Sequence, residues 1–66
     1  MQVDVNGRSR QLEDGTSLAD LVALTVQRSD GVAVAVNRRV VPRSHCDSHF
    51  LSGGDQVEII QAVGGG

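Results

Sequence analysis

The stretch QVDVNGRSRQLEDGTSLADLV, Gln2 to Val22, decides the fold of this 66-residue chain. Val3 and Val5 alternate with Gln2 and Asp4, which predicts a strand with one buried face. Asn6-Gly7 supplies the two residues that best tolerate the positive φ of a type I′ hairpin turn. Arg8 to Glu13 then returns as a polar partner strand, with Leu12 as its main apolar residue, and Asp14-Gly15 marks a second turn. Thr16 or Ser17 stands where it can cap exposed N–H groups of a helix, and Asp20 suits the positive first turn. Leu18, Leu21, Val22 and Val26 recur at helical spacing, so the predicted helix is short, amphipathic and ends near Arg28. Ser29-Asp30-Gly31 breaks it.

Beyond the helix the pattern returns to strands. Val32-Ala33-Val34-Ala35-Val36 is apolar throughout and predicts a central strand covered at least partly on both faces. Asn37-Arg38-Arg39 turns the chain into a brief extended piece, Val40-Val41-Pro42. RSHCDSHF, residues 43–50, reads as irregular or as one helical turn, with Phe50 and Leu51 expected to fill the core beneath it. Ser52-Gly53-Gly54-Asp55 is a turn, and Gln56 to Val63 is the last strand. A hairpin, a helix and a returning sheet make an α+β fold: a mixed sheet of four to five strands with one main helix packed on one face. Residues 1–63 are expected to form a single domain and Gly64–Gly66 a flexible C-terminal tail. In the last strand Val57 and Ile59 point one way, while Glu58, Ile60 and Ala62 point the other. One helix leaves one sheet face uncovered, so Ile60 and Ala62 read either as a contact site or as scattered surface apolars.

Composition narrows the function classes. A chain of 66 residues allows one small domain. Cys46 is the only cysteine, so no internal disulfide can form, and a free thiol suits a reducing compartment. The net charge of −2 gives no general attraction to nucleic acid or anionic membrane. The start, MQVDVNGRSRQ, lacks the pattern of a signal peptide, and Val32–Val36 is far too short to span a bilayer. The expectation is a cytoplasmic protein. Every positive side chain is an arginine, which leaves no lysine for a Schiff base or an isopeptide bond.

Three local constellations carry competing chemistry. His45 and His49, four residues apart with Cys46 between them, could present three zinc ligands on one helix face. A second ligand cluster and an H-E-x-x-H base are both missing, so the plainer reading is two exposed histidines on a loop, with no metal. Cys46 with a nearby histidine and Asp47 offers the residue types of a nucleophile and its base, but a chain this small has little room for a water-excluding pocket. Cys46 reads better as a small, partly buried apolar residue, and no catalytic residue is expected. Arg38, Arg39 and Arg43 form a basic cluster, either a docking patch for an acidic groove or a solvated turn. Without stacking aromatics nearby it does not suggest nucleic-acid binding.

The segment AVAVNRRVVPRS, the turn and strand GGDQVEIIQAV, and the closing Gly-Gly together resemble the ThiS family of sulfur carriers in thiamine biosynthesis. The resemblance runs from Asn6-Gly7 to Gly66. The related MoaD carriers tend to have prolines just before their last residues, where this chain reads Gln61-Ala62-Val63. Many ThiS sequences have a tryptophan where this chain has Cys46, a departure that concerns loop packing rather than the tail. The resemblance implies a ubiquitin-like β-grasp fold. It implies that the carboxylate of Gly66 is adenylated and then converted to a thiocarboxylate, the sulfur source for thiazole formation. Gly64 and Gly65 would thread the tail into an activating enzyme, since residues without Cβ allow close backbone approach. Ile60, Ala62 and Val63 would contact partner enzymes. The implied partners are a ThiF-type adenylating enzyme, the thiazole synthase ThiG, and a sulfur donor such as a cysteine desulfurase. ATP is used by the activating enzyme and no cofactor is expected on the chain itself, which has no P-loop and no lysine to hold a phosphate. A MoaD-like carrier for another pathway and a ubiquitin-like protein modifier are the alternatives.

Overall fold

The computed structural model describes residues 1–26 and 31–61. Asn6 and Gly7 both take positive φ, 52° and 82°, and join β1 (Gln2–Val5) to β2 (Arg8–Gln11) as the Asn-Gly pair predicts. The two strands are antiparallel, with Val5 opposite Arg8 and Gln2 opposite Gln11. Val3 and Val5 are buried and Gln2 and Asp4 exposed, while every residue of β2 is exposed. Strand β2 is therefore a polar sheet edge, which discourages unwanted strand pairing. It stops at Gln11, short of the expected Glu13. Leu12 is half-buried, and its N–H donates to the carbonyl of Met1 at 2.8 Å.

Helix α1 (Leu18–Thr25) starts at a reciprocal cap. The N–H of Asp20 donates to Ser17 Oγ at 3.0 Å, and the N–H of Ser17 donates to the Asp20 carboxylate at 3.4 Å. Such a cap is worth about 1 kcal/mol. Leu18, Leu21 and Val22 are buried against the sheet. The helix ends at Thr25 rather than near Arg28, which lies outside the described residues. Thr25 and Val26 are both β-branched, and Val26 is already extended at φ −120°, ψ 145°. Its N–H still donates to the carbonyl of Val22, closing the last turn.

The remaining elements are β3 (Val32–Val36), β4 (Arg39–Val40), a single turn of helix α2 (Arg43–Cys46) and β5 (Gln56–Gln61). They complete a five-stranded sheet of order β2-β1-β5-β3-β4, in which β1 and β5 are parallel and the other pairs antiparallel. The centre of the sheet is β5, not β3. The second face of β3 is covered only in part: Val32, Val34 and Val36 are buried, Ala33 is exposed and Ala35 is half-buried. Valine and alanine alternate there, and the small alanine is apolar in sequence yet tolerates water on the uncovered face.

The core lies between α1 and one sheet face, where Leu18, Leu21, Val3 and Val57 are almost wholly buried. Leu51 joins it at 5% exposure, but Phe50 does not, at 63%. The segment is extended and tied to the start of α1: the N–H of Leu18 donates to the carbonyl of His49 and the N–H of Leu51 to the carbonyl of Thr16. Neighbouring side chains on extended backbone point to opposite sides, so only one of the two can enter the core. Among the described residues no helix is long and apolar enough to cross a membrane.

Candidate functional site

Strand β5 has a neighbour on each side, β3 on one and β1 on the other. Against β3 it is paired from Val57, opposite Val36, to Gln61, opposite Val32. Against β1 only two residue pairs form, Asp4 with Gln56 and Val5 with Val57, because β1 then turns at Asn6-Gly7.

The side chain of Asn6 continues the ladder where the backbone leaves it. The N–H of Ile59 donates to Asn6 Oδ1 at 2.8 Å, and Asn6 Nδ2 donates to the carbonyl of Ile59 at 3.1 Å. The backbone N–H of Asn6 donates to the carbonyl of Val57 at 2.9 Å. A carboxamide has the donor and acceptor of a peptide group, so Asn6 takes the place of the next strand residue. A second asparagine in a positive-φ turn, Asn37 (φ 52°), bonds the other end of β5, and of its side chain only the oxygen bonds the strand. Its N–H donates to the carbonyl of Gln56 at 2.7 Å, and the N–H of Gln56 donates to Asn37 Oδ1 at 3.0 Å. Asn37 Nδ2 donates to the Asp55 carboxylate at 3.0 Å, and that carboxylate also accepts the N–H of Ser52 at 2.8 Å. Sequence reasoning identified both asparagines as turn residues and missed both side-chain roles.

On the face of β5 away from α1, Glu58 and Ile60 are exposed. The register sets Ile60 opposite Ala33 and Glu58 opposite Ala35, and Ala35 is in turn opposite Val40 of β4. Ile60, Ala33, Ala35 and Val40 therefore form a diagonal apolar stripe across the uncovered face. Ile60 and Val40 are 62% and 76% exposed. Ile60 stands where the alternation predicted. Val40 was not anticipated, because a two-residue strand carries no periodic signal. Ala62, Val63, Gly64, Gly65 and Gly66, the other residues expected to serve the site, lie outside the described residues.

Val40 also lines an open groove of about 680 Å³ with Phe50, Arg39, His45 and His49. Cys46 does not join the two histidines. It is 5% exposed, and its Sγ donates to the carbonyl of Pro42 at 3.5 Å. Burial pushes the thiol pKa up; Arg43 pulls it down less strongly, and Asp47 adds a small upward push. A thiol in that state is a packing group rather than a nucleophile. Among the described residues no cluster of three His, Cys, Asp or Glu side chains could hold a metal ion. The basic cluster is divided among a turn, a strand and a helix: Arg38 at φ 70°, Arg39 in β4 and Arg43 opening α2.

The ThiS family profile matches residues 3–66. The sulfur carrier protein ThiS of Escherichia coli is 33% identical over 66 residues, covering all of both chains. A thiazole synthase of Magnetococcus marinus is also 33% identical over 66 residues, all of this chain but 20% of that protein. The crystal structure of ThiS from Geobacter metallireducens superposes with a TM-score of 0.83 at 30% identity, over the whole of both chains. The solution structure of a thiamine biosynthesis protein from Geobacter metallireducens gives 0.79 at 30% identity, covering all of this chain and 88% of that one.

Proposed function

The chain belongs to the ThiS family, and from that premise we propose that it is a sulfur carrier for thiazole formation in thiamine biosynthesis, with its chemistry at the carboxylate of Gly66. The observation that carries the reading is the end-to-end match to a named sulfur carrier, together with a family profile that runs through Gly66. The chain is a carrier and a substrate, not an enzyme.

A carboxylate is a poor electrophile because it is negatively charged. In the first step an oxygen of the Gly66 carboxylate attacks the α-phosphorus of ATP, a P–O bond forms, and pyrophosphate leaves. The product is an acyl-adenylate whose carbonyl carbon now has AMP as a good leaving group. The outer sulfur of a persulfide on a donor such as a cysteine desulfurase then attacks that carbon and AMP departs, which leaves an acyl disulfide. A thiol attacks the donor's sulfur and the S–S bond breaks. The thiol ends in a disulfide with the donor, and the tail is released as a thiocarboxylate. This chain has no P-loop and no lysine to hold the triphosphate, so adenylation belongs to a ThiF-type partner that binds ATP. Gly64 and Gly65 let the tail pass through a narrow channel to that ATP, because no Cβ limits φ or the approach of the enzyme's backbone.

Ile60, with Ala62 and Val63 beyond it, contacts the partner enzymes, and the exposed stripe through Ala33, Ala35 and Val40 extends that surface. A ThiG-type thiazole synthase is the sulfur acceptor. In support, a thiazole synthase contains within one-fifth of its length a segment similar to this entire chain. The setting is the cytoplasm, in keeping with a free cysteine.

The test is an intact mass. The chain is incubated with a ThiF-type enzyme, ATP and a sulfur donor. An AMP adduct, or one oxygen exchanged for sulfur, mapped to Gly66, is the expected result. An unmodified mass, with enzyme and donor active on another carrier, overturns the reading.

A further inference from the structure

We infer that Asn6 is a positioning residue for tail activation: its carboxamide holds β5 in the sheet up to Ile59 and so sets the point from which the tail leaves. The inference rests on the proposed role of Gly66 and adds a residue at the opposite end of the chain to it. The backbone groups of Ile59 that Asn6 satisfies face away from β3, on the side where β1 has already turned. Without the carboxamide, β5 beyond Val57 would be held by β3 alone. Its last residues, Ile59 to Gln61, would then open more often. A partner that grips Ile60 and draws in the tail would have to reorder them on binding. Reordering one or two residues weakens binding by about tenfold or more. The reaction at Gly66, seven residues after Ile59, would be unchanged once the tail is seated.

The structure supplies its own control. Asn37 occupies the same kind of turn and bonds the same strand at Gln56, the end remote from the tail, through its Oδ1 and its backbone N–H, while its Nδ2 goes to the Asp55 carboxylate. If these asparagines only stabilise the fold, losing either one should have similar consequences. If Asn6 positions the tail, only its loss should reach activation. Glycine is the proper replacement at both positions, because it keeps positive φ without strain and removes only the side chain.

The experiment measures pyrophosphate release by a ThiF-type enzyme at varied concentrations of wild-type chain, Asn6→Gly and Asn37→Gly, with amide exchange followed in parallel. Asn6→Gly is expected to raise KM for the carrier about tenfold with kcat within about twofold. The Ile59 amide should exchange at least about tenfold faster while amides of α1 keep their protection. Asn37→Gly is expected to leave KM within about twofold of wild type. Asn6→Asp, which keeps the acceptor for the Ile59 N–H and loses the donor to its carbonyl, should fall between wild type and Asn6→Gly. Equal KM changes in the two glycine variants overturn the inference. So does an unchanged Ile59 exchange rate, or an unchanged KM despite faster exchange. A wild-type chain that is never adenylated overturns the reading of Gly66 itself, a result distinct from active wild type with indifferent variants.

Discussion

Ile60 lies directly opposite Ala33 across the β3–β5 ladder, on the sheet face that α1 leaves uncovered, and is 62% exposed. A β-branched residue suits a strand, but the exposure is unfavourable in the isolated chain. Covering an isoleucine contributes about 1.5–3 kcal/mol, so a partner seated here gains tenfold or more in affinity. Ile60→Ser is expected to weaken binding to the ThiF-type enzyme at least about tenfold. Because the side chain takes no part in the core, stability should fall by less than about 1 kcal/mol. Titration calorimetry and a urea curve on the same preparation check both halves. Unchanged affinity would remove the stripe from the docking surface.

Phe50 and Leu51 are neighbours with opposite fates, and their variants should differ accordingly. Leu51→Ala leaves a cavity beside buried core residues and is expected to cost about 2–4 kcal/mol. Phe50→Ala removes a larger side chain that is 63% exposed and should cost less than about 1 kcal/mol. Urea midpoints at constant slope measure both. A greater loss for the phenylalanine would contradict the arrangement of this loop.

That pair also shows what the sequence could and could not convey. Features decided within four or five residues were legible: the Asn6-Gly7 turn, the Ser17–Asp20 cap, the alternation of Val57 and Ile59 against Glu58 and Ile60. Those decided by a distant neighbour were not. Which of Phe50 and Leu51 turns inward depends on where Thr16 and His49 bond the loop to α1. How far the second face of β3 is covered was not legible either, because alanine reads as apolar whether it is half-buried, as Ala35 is, or exposed, as Ala33 is. The carboxamide of Asn6 meets Ile59 across 53 residues of chain, and no local pattern announces such a contact. Of the candidate site, Ile60 was legible from alternation, whereas the role proposed for Gly66 came from resemblance, since three glycines in sequence do not reveal what a carboxylate does.

Cys46 gives a prediction in pH. Burial is the main reason its thiol pKa is raised, so at pH 7–8 the native thiolate is scarce. A disulfide reagent should label the native chain slowly and the urea-unfolded chain fast. The stability consequence follows from the sign of the shift. The folded chain holds the thiol proton to higher pH than the unfolded chain does. This contribution to stability is therefore full below the unfolded thiol pKa and is lost as pH rises through the folded one. With no lysine and no tyrosine, no other side chain titrates in the alkaline range below arginine. Cys46→Ala should flatten the alkaline fall in the urea midpoint relative to wild type. Parallel falls in the two proteins would show that the thiol does not cause it.

Gly66→Val separates the fold from the chemistry. Strand β5 ends at Gln61 and the described core ends at Ile59, so the substitution lies beyond every packing contact described for the fold. The urea midpoint is expected to match wild type. At the carboxylate the change is severe. A β-branched side chain restricts φ and rotamer, and it needs space where the proposed channel admits only backbone. Misplacing a reacting atom by about 1 Å costs about 10²-fold in rate, so adenylation should fall by at least that factor. The assay is pyrophosphate release with the ThiF-type enzyme, run beside wild type, with intact mass to detect any adduct. Because a valine carboxylate is as nucleophilic as a glycine carboxylate, a lost rate reports geometry rather than reactivity. A variant adenylated at the wild-type rate would mean that the enzyme does not grip the last residue closely, and the need for glycine at the end of the tail would fall with it.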